Sequence, residues 1–545
     1  MKTDHKHTSN PKMICIAILI LFMLFSGYLW LVSLFQTAGF SEIETTVYFP
    51  DSPLVHIFAL LITLIILIFM QNQFQKINMK RSVICTLGLT FFFAVSLVVI
   101  TQVQPASDQK CVLDAARAIN QGDFVDLMLG GYLSNLPHQL GLTLLFQLCN
   151  LITGTGGDIL LIQGLNSVAI VTSVYGIYKL TSLLFQNKAT NILILTLLFC
   201  FPQLMLYVTF VYGNIISLSL SILAIWFTIV FLRKRRIWHG LLSALFIALA
   251  TVIRQNNLIV LIAIAIVYLA DAVWGHNDTQ AAQVEQDKPP GAPPSKSRRI
   301  SQSRFNIWLL LILTVSVTPL LQWGITSYYE NLAHRKLNEG VPSSMYIAMG
   351  LQDGDLAPGW WNGYVPGEFY AQYFGVEPSS RVAKKSIDES LEKFYHNPDY
   401  AIYFFYQKTA SMWINPTFQS FWISTMFRES VISDTAFVFS LYHGKLNHFL
   451  TGMMNIMQSL TLCGVVAYCI FAFVYRRYRL YELLPALIFI GGFLFHLVWE
   501  AKSQYALPYF ILLLPYAAHG LLKLAESCRV FFFTRKIVTK GQGGL

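Results

Sequence analysis

Four aspartates, Asp108, Asp114, Asp123 and Asp126, stand in the stretch Thr101–Gly141, the first polar segment of any length in the chain. Three apolar runs precede it and many follow. Carboxylates gathered just beyond the end of an apolar run suit proton transfer on something that arrives through a membrane, because a positioned carboxylate can take the proton of an attacking hydroxyl. Three more polar clusters recur between apolar runs: Arg254-Gln255-Asn256-Asn257, the segment from Met349 through Trp360-Trp361-Asn362-Gly363-Tyr364, and Trp499-Glu500-Ala501-Lys502-Ser503-Gln504-Tyr505. At one membrane depth these four clusters would suit a phosphate-bearing lipid and a sugar. Arg or Lys holds the phosphate, aromatic rings cover the apolar faces of the sugar, and a carboxylate serves as base. A phosphate leaving group is already acidic, so one base plus charge neutralisation suffices.

Composition says what must position these clusters. The chain has 545 residues, of which 55% are hydrophobic and 12% charged. A soluble domain is about a quarter charged, so the deficit predicts an all-α polytopic membrane protein whose bulk partner is the lipid bilayer. The net charge of +10 raises a nucleic-acid binder as an alternative. Here the Lys and Arg residues sit in short loops between apolar runs, where they set orientation, and nucleic acid is excluded as a partner. Of the eight cysteines, six lie inside apolar runs and Cys111 is alone in the polar loop. No CxxC or Cys/His ligand spacing appears, so neither a zinc site nor a disulfide framework is expected. The basic N-terminus precedes an apolar run too long for a signal peptide, which reads as a retained first span.

Runs of about 20 apolar residues predict about twelve transmembrane helices: 13–35, 53–71, 82–101, 159–184, 189–207, 211–232, 238–253, 256–274, 306–328, 447–474, 481–499 and 505–524. Lys2, Lys6, Lys12, Lys76, Lys80, Arg81, Arg233 through Arg236, Arg298, Arg299, Arg476 and Arg477 are assigned to the cytoplasm, and the acidic loop 36–52 with Glu42, Glu44 and Asp51 to the outside. The count closes only if 137–153, which opens Pro137-His138-Gln139, is a helix lying at the outer interface instead of a span. Three units follow. Residues 1–328 form a transmembrane module with the acidic outer loop 102–141 and a disordered, Pro-rich cytoplasmic linker 275–304. Residues 329–445 form a small extracytoplasmic unit of mixed structure, and 446–545 the last spans and a basic tail. All four polar clusters then fall outside the cell membrane.

On these residues the chain resembles the class C glycosyltransferases, polytopic enzymes that take sugars from polyprenyl-phosphate carriers. It is most similar to the aminoarabinose transferases and protein mannosyltransferases among them. Their first large outer loop opens with an acidic residue near the membrane, here Asp108. A helix like Lys110–Gln121 follows, then Gly-Asp-aromatic, here Gly122-Asp123-Phe124, and a Pro-led helix, here Pro137-His138-Gln139-Leu140-Gly141. The resemblance implies that Asp108 is the essential loop acid and that Arg254 contacts the lipid phosphate. Many relatives have two adjacent acids where this chain has Ser107-Asp108-Gln109, so a lone base is implied, no metal ligand is assigned, and a divalent cation stays open as the one cofactor to test. The Trp499-Glu500-x-x-x-x-Tyr505 stretch is similar to an endpiece of Gram-positive members. The expected activity is transfer of a sugar from a polyprenyl-phosphate donor to an extracytoplasmic acceptor, with inversion. Lys502 would assist Arg254, and Glu500, Trp360, Tyr505, His138 and Asp123 would line the substrate site.

Each residue also has a plainer reading. Asp108 could cap the helix that begins beside it; Asp114, on the other side of that helix, reads as solvated; Asp123 suits an Asx turn. Arg254 could snorkel, Glu500 and Lys502 could pair with each other, His138 could be a structural hydrogen-bonding group, and Trp360 with Trp361 could belong to an interfacial aromatic belt. Glu330 and His334 are spaced i, i+4 but have no third ligand for a metal. The alternative function is a multi-span transporter or flippase, which would be expected to show internal repeats and charges within its spans. Neither is evident here. A non-catalytic scaffold would not need the four clusters to converge.

Overall fold

The computed structural model describes residues 10–41, 43–274, 296–425, 433–476 and 478–541. Lys2, Lys6, Glu42, Arg477 and most of the 275–304 linker therefore lie outside the described residues. The first part of the chain runs α1 (Asn10–Phe35), a hairpin of β1 (Gln36–Phe40) and β2 (Thr46–Pro50), α2 (Pro53–Lys76), α3 (Met79–Thr101), α4 (Asp108–Asn120), α5 (Tyr132–Asn135), α6 (Leu140–Thr153) and α7 (Gly157–Phe185). The middle holds α8 (Lys188–Phe199), α9 (Pro202–Leu206), α10 (Asn214–Lys234), α11 (Ile237–Ile253), α12 (Leu258–Trp274) and α13 (Lys296–Leu332). Beyond it come α14 (Ser343–Gly350), α15 (Tyr364–Ala371), α16 (Val376–His396), α17 (Pro398–Trp413), α18 (Trp422–Thr425) and α19 (Ala436–Tyr442). The chain closes with α20 (Lys445–Tyr475), α21 (Leu484–Val498), α22 (Leu507–Ile511) and α23 (Leu514–Gly541).

Among the described residues, nine helices are long and apolar enough to cross a membrane. The bent pairs 188–209 and 503–530 and the shorter apolar helix α11 fall on the remaining predicted spans. The protein is therefore a multi-pass, all-α membrane protein. α10 is the innermost span, with 72% of its apolar window buried, whereas α2 and α3 bury 17% of theirs and present most of their surface to lipid. The site accordingly gathers at one end of α10. α6 is 14 residues long, about 21 Å at ~1.5 Å per residue, too short for a ~30 Å hydrocarbon core. Its one buried face packs on the bundle while Leu148, Leu151 and Ile152 are exposed, the geometry expected of a helix lying along the interface.

Two expectations are corrected. The 329–445 unit contains no strand among its described residues; the pair β1–β2, in antiparallel register from Gln36↔Pro50 to Phe40↔Thr46, is the only described sheet. The unit packs directly on the spans. Trp413 at its heart packs on Phe489, Phe493 and Tyr509, and the Asn415 carboxamide donates to Ala38 O of the hairpin at 2.7 Å. Its Trp-rich composition reflects packing against the bundle. Residues 296–304 are helical as the start of α13, so the linker ends earlier than predicted.

Candidate functional site

Asp108 is the first residue of α4 and is exposed. Ser107, at φ 51°, turns the chain into the helix, so Asp108 is not its cap. Among the described residues nothing hydrogen-bonds or ion-pairs with its carboxylate. Two anchors hold α4. The Gln109 carboxamide accepts the Val211 N–H at 2.8 Å, and Arg117 grips the fully buried Asp158 of α7 through Nε at 2.8 Å and Nη2 at 2.7 Å. Where many relatives carry a second acid, this chain has an amide committed to its own backbone.

The Val211 contact sets Asp108 beside Tyr212. The Tyr212 ring lies under the Arg254 guanidinium, 4.4 Å from Cζ to the centroid, and its hydroxyl accepts from Gln139 Nε2 at 2.8 Å. Arg254 ends α11 in extended conformation, and Asn257 folds back to donate to Ala250 O and Arg254 O. α6 reaches this corner because position 141 is glycine: a Cβ there would stand 2.2 Å from Val252 O. Burial pushes the Tyr212 hydroxyl up to about 12; the nearby Asp108 adds to the rise and Arg254 opposes it. His138 is pushed down to about 4 by burial and by Arg254, so its ring is neutral near pH 7 and it stands with the cation, not as a base for it.

The C-terminal cluster closes on the same space. Glu500 is pushed up to about 7, first by burial, with Lys502 opposing and Asp108 and Glu44 adding to the rise. Its closest side-chain partner is the Tyr505 hydroxyl, at 3.5 Å. Lys502 does not pair with Glu500. Its ammonium lies 2.8 Å from Glu44 of the hairpin and 5.6 Å from the Trp422 ring centroid, so its charge is already compensated. Behind this loop sits Lys408, buried, donating to Leu497 O at 3.0 Å, Trp499 O at 2.9 Å and Gly350 O. Burial pushes Lys408 down to about 7 against the pull of Glu500, while three carbonyl acceptors match the three donors of the charged form. This knot, with the Ala501 N–H to Gly359 O bond at 2.8 Å, joins the third and fourth sequence clusters.

A narrow cleft opens between α10, α12, α21 and α22. Arg254, Asn256, Gln504 and Tyr505 line its polar end; Leu218, Ile222, Val260, Ile488 and Leu512, farther along their helices, line the rest together with Ser217, Ser221 and Tyr509.

The structure thus brings Asp108, Arg254, Glu500, Tyr505 and His138 together. It does not bring Trp360, which is fully buried, donates Nε1–H to Ser411 Oγ at 2.8 Å and packs on Phe40; that ring is core and offers no face to a sugar. Asp123 is exposed and accepts the Val125 N–H at 3.0 Å, an Asx turn. Asp114 contacts Arg117 at 3.3 Å. Glu330 pairs with Lys336 and His334 lies beyond the end of α13; among the described residues no group of three His, Cys, Asp or Glu side chains could hold a metal. Sequence reasoning missed Tyr212, Gln109, Glu44 and Lys408. Only Tyr212 carried a signal, as the aromatic residue before Gly213-Asn214 at the mouth of the innermost span.

The fold and cleft define a multi-pass membrane protein with a polar site at one end of its bundle. Residues 139–281 match the profile of the family described as dolichyl-phosphate-mannose-protein mannosyltransferase. That stretch runs from Gln139 through Tyr212 and Arg254, and over that part of the chain it bears out the resemblance to the class C glycosyltransferases. No curated protein matches it.

Proposed function

We propose that the protein transfers a sugar from a polyprenyl-phosphate-linked donor to a hydroxyl-bearing acceptor outside the cytoplasmic membrane, a cell-wall polymer, lipid or protein. The observation that carries the reading is a stacked guanidinium, Arg254, at the polar end of a cleft with apolar side chains farther in, and an unengaged carboxylate, Asp108, within electrostatic reach of Tyr212 and Tyr505 at that end. The donor phosphate sits against Arg254 and its isoprenoid chain follows Leu218 and Ile222. Asp108 removes the proton of the acceptor hydroxyl as its oxygen attacks the anomeric carbon. The carbon–oxygen bond to phosphate breaks, the anionic leaving group stays paired with Arg254, and the anomeric centre inverts. Glu500 and Tyr505 border the sugar. Lys502 is withdrawn from phosphate binding in this account, because Glu44 compensates it.

The test is product analysis. Purified protein in proteoliposomes receives a panel of polyprenyl-phosphate sugars labelled in the sugar, together with a membrane and wall extract as acceptor. Label moving to an acceptor with inverted anomeric configuration supports the reading. Label crossing the bilayer unchanged on its lipid would support a flippase instead.

A further inference from the structure

Gln504 stands in the wall of the cleft and is only 7% exposed. Among the described residues its buried carboxamide oxygen Oε1 has no hydrogen-bond partner. Buried acceptors left unpaired are rare because they lower stability. Among the described residues the Gln504 side chain makes no hydrogen bond. The main chain is held from behind, through the Gln504 N–H to Gln419 Oε1 bond at 3.1 Å. Gln419 is fixed in turn by donating Nε2–H to Glu44 Oε1 at 2.8 Å. Asn214, the first residue of α10, lines the same cleft, and its buried Oδ1 is likewise unpaired among the described residues.

The neighbouring charge narrows what these atoms can meet. Arg254 in the same wall suits an anion, but a carbonyl oxygen repels one and seeks a donor. Apolar chain offers no donor. The hydroxyl groups of a sugar do, and a site whose buried acceptors wait for hydroxyls discriminates strongly against ligands that lack them. We infer that Gln504, with Asn214 beside it, is a specificity-determining residue that accepts hydrogen bonds from hydroxyls of the sugar on the lipid donor. This rests on the donor reading above.

The experiment compares binding of two probes, a bare polyprenyl phosphate and the same lipid phosphate carrying a hexose, to purified wild type, Gln504→Met and Gln504→Asn, with thermal unfolding of each. Gln504→Met keeps the length of the side chain without its amide. The expected result is that Gln504→Met unfolds no lower than wild type, binds the bare lipid phosphate unchanged, and binds the glycosylated lipid about tenfold more weakly. Gln504→Asn, which keeps a shorter carboxamide, recovers part of that loss. Equal loss for both lipids, loss for neither, or a lower unfolding temperature in Gln504→Met overturns the inference and leaves the donor reading standing. Wild type that binds neither lipid overturns the donor reading itself and this inference with it.

Discussion

Replacing Asp158 by asparagine should loosen α4, and with it the candidate base. The Asp158 side chain is wholly buried and accepts from Arg117 Nε and Nη2, from Asn150 Nδ2 at 3.0 Å, and from the N–H groups of Gly156 at 3.1 Å and Ile159 at 2.9 Å. All of these partners are donors, so the amide nitrogen of an asparagine faces one or more of them whichever way it turns. Removing one member of a buried pair costs about 3–5 kcal/mol. Arg117 is 19% exposed and keeps a half-exposed partner, Asp114, which places the loss at the low end, about 3 kcal/mol. The assay is a double-mutant cycle of Arg117→Met and Asp158→Asn, read as unfolding free energy in detergent beside turnover and donor affinity. The single changes should be non-additive, with a coupling of about 2 kcal/mol. Turnover should fall in each, because α4 carries Asp108, while donor affinity, which depends on Arg254 at the end of α11, should hold. Additive effects within about 0.5 kcal/mol, or donor affinity falling in step with turnover, would refute the reasoning.

Two further outcomes follow from the site. Glu500, held up at about 7, adds a negative charge near the phosphate position as pH rises through that value. Donor affinity should therefore drop between pH 6 and 8 in wild type and stay flat in Glu500→Gln, measured by equilibrium binding. Because its folded value lies above the ordinary carboxyl value of ~4.3, the stability it contributes is full below that value and is lost as pH rises to about 7; unfolding of Glu500→Gln should show less of that decline. At Tyr212, a Phe replacement keeps the ring under Arg254 and should leave donor KM within about threefold of wild type, whereas Leu removes the cation–π contact and should raise it about fivefold or more with kcat little changed. Equal effects of Phe and Leu would show that the hydroxyl, not the ring, positions the guanidinium.

The spans and the convergence of Asp108, Arg254 and Glu500 were legible because hydropathy and the placement of Lys and Arg act on each segment independently, and together they put these residues at one end of the bundle. Side-chain pairing was not legible. Lys502 finds Glu44 across almost the whole chain, and only the docking of the hairpin on the C-terminal loop creates that contact. Trp360 looked like a sugar platform by type, yet Ser411 and Phe40 were invisible as its neighbours. Gln109 read as a missing acid; its bond to Val211 shows a positive role in fixing the backbone between Asp108 and Tyr212. Lys408, a lone cation in a helix of the 329–445 unit, carried no signal that three carbonyls of other segments would enclose it.

The central claim is that Asp108 acts in the chemical step and Arg254 in donor binding. The most direct measurement binds one polyprenyl-phosphate sugar to wild type and to Asp108→Asn and follows its consumption in each. The account predicts equal binding, with turnover in Asp108→Asn reduced at least a hundredfold, the scale of a lost general base. An Asp108→Asn protein that binds the donor and consumes it at the wild-type rate would contradict the account.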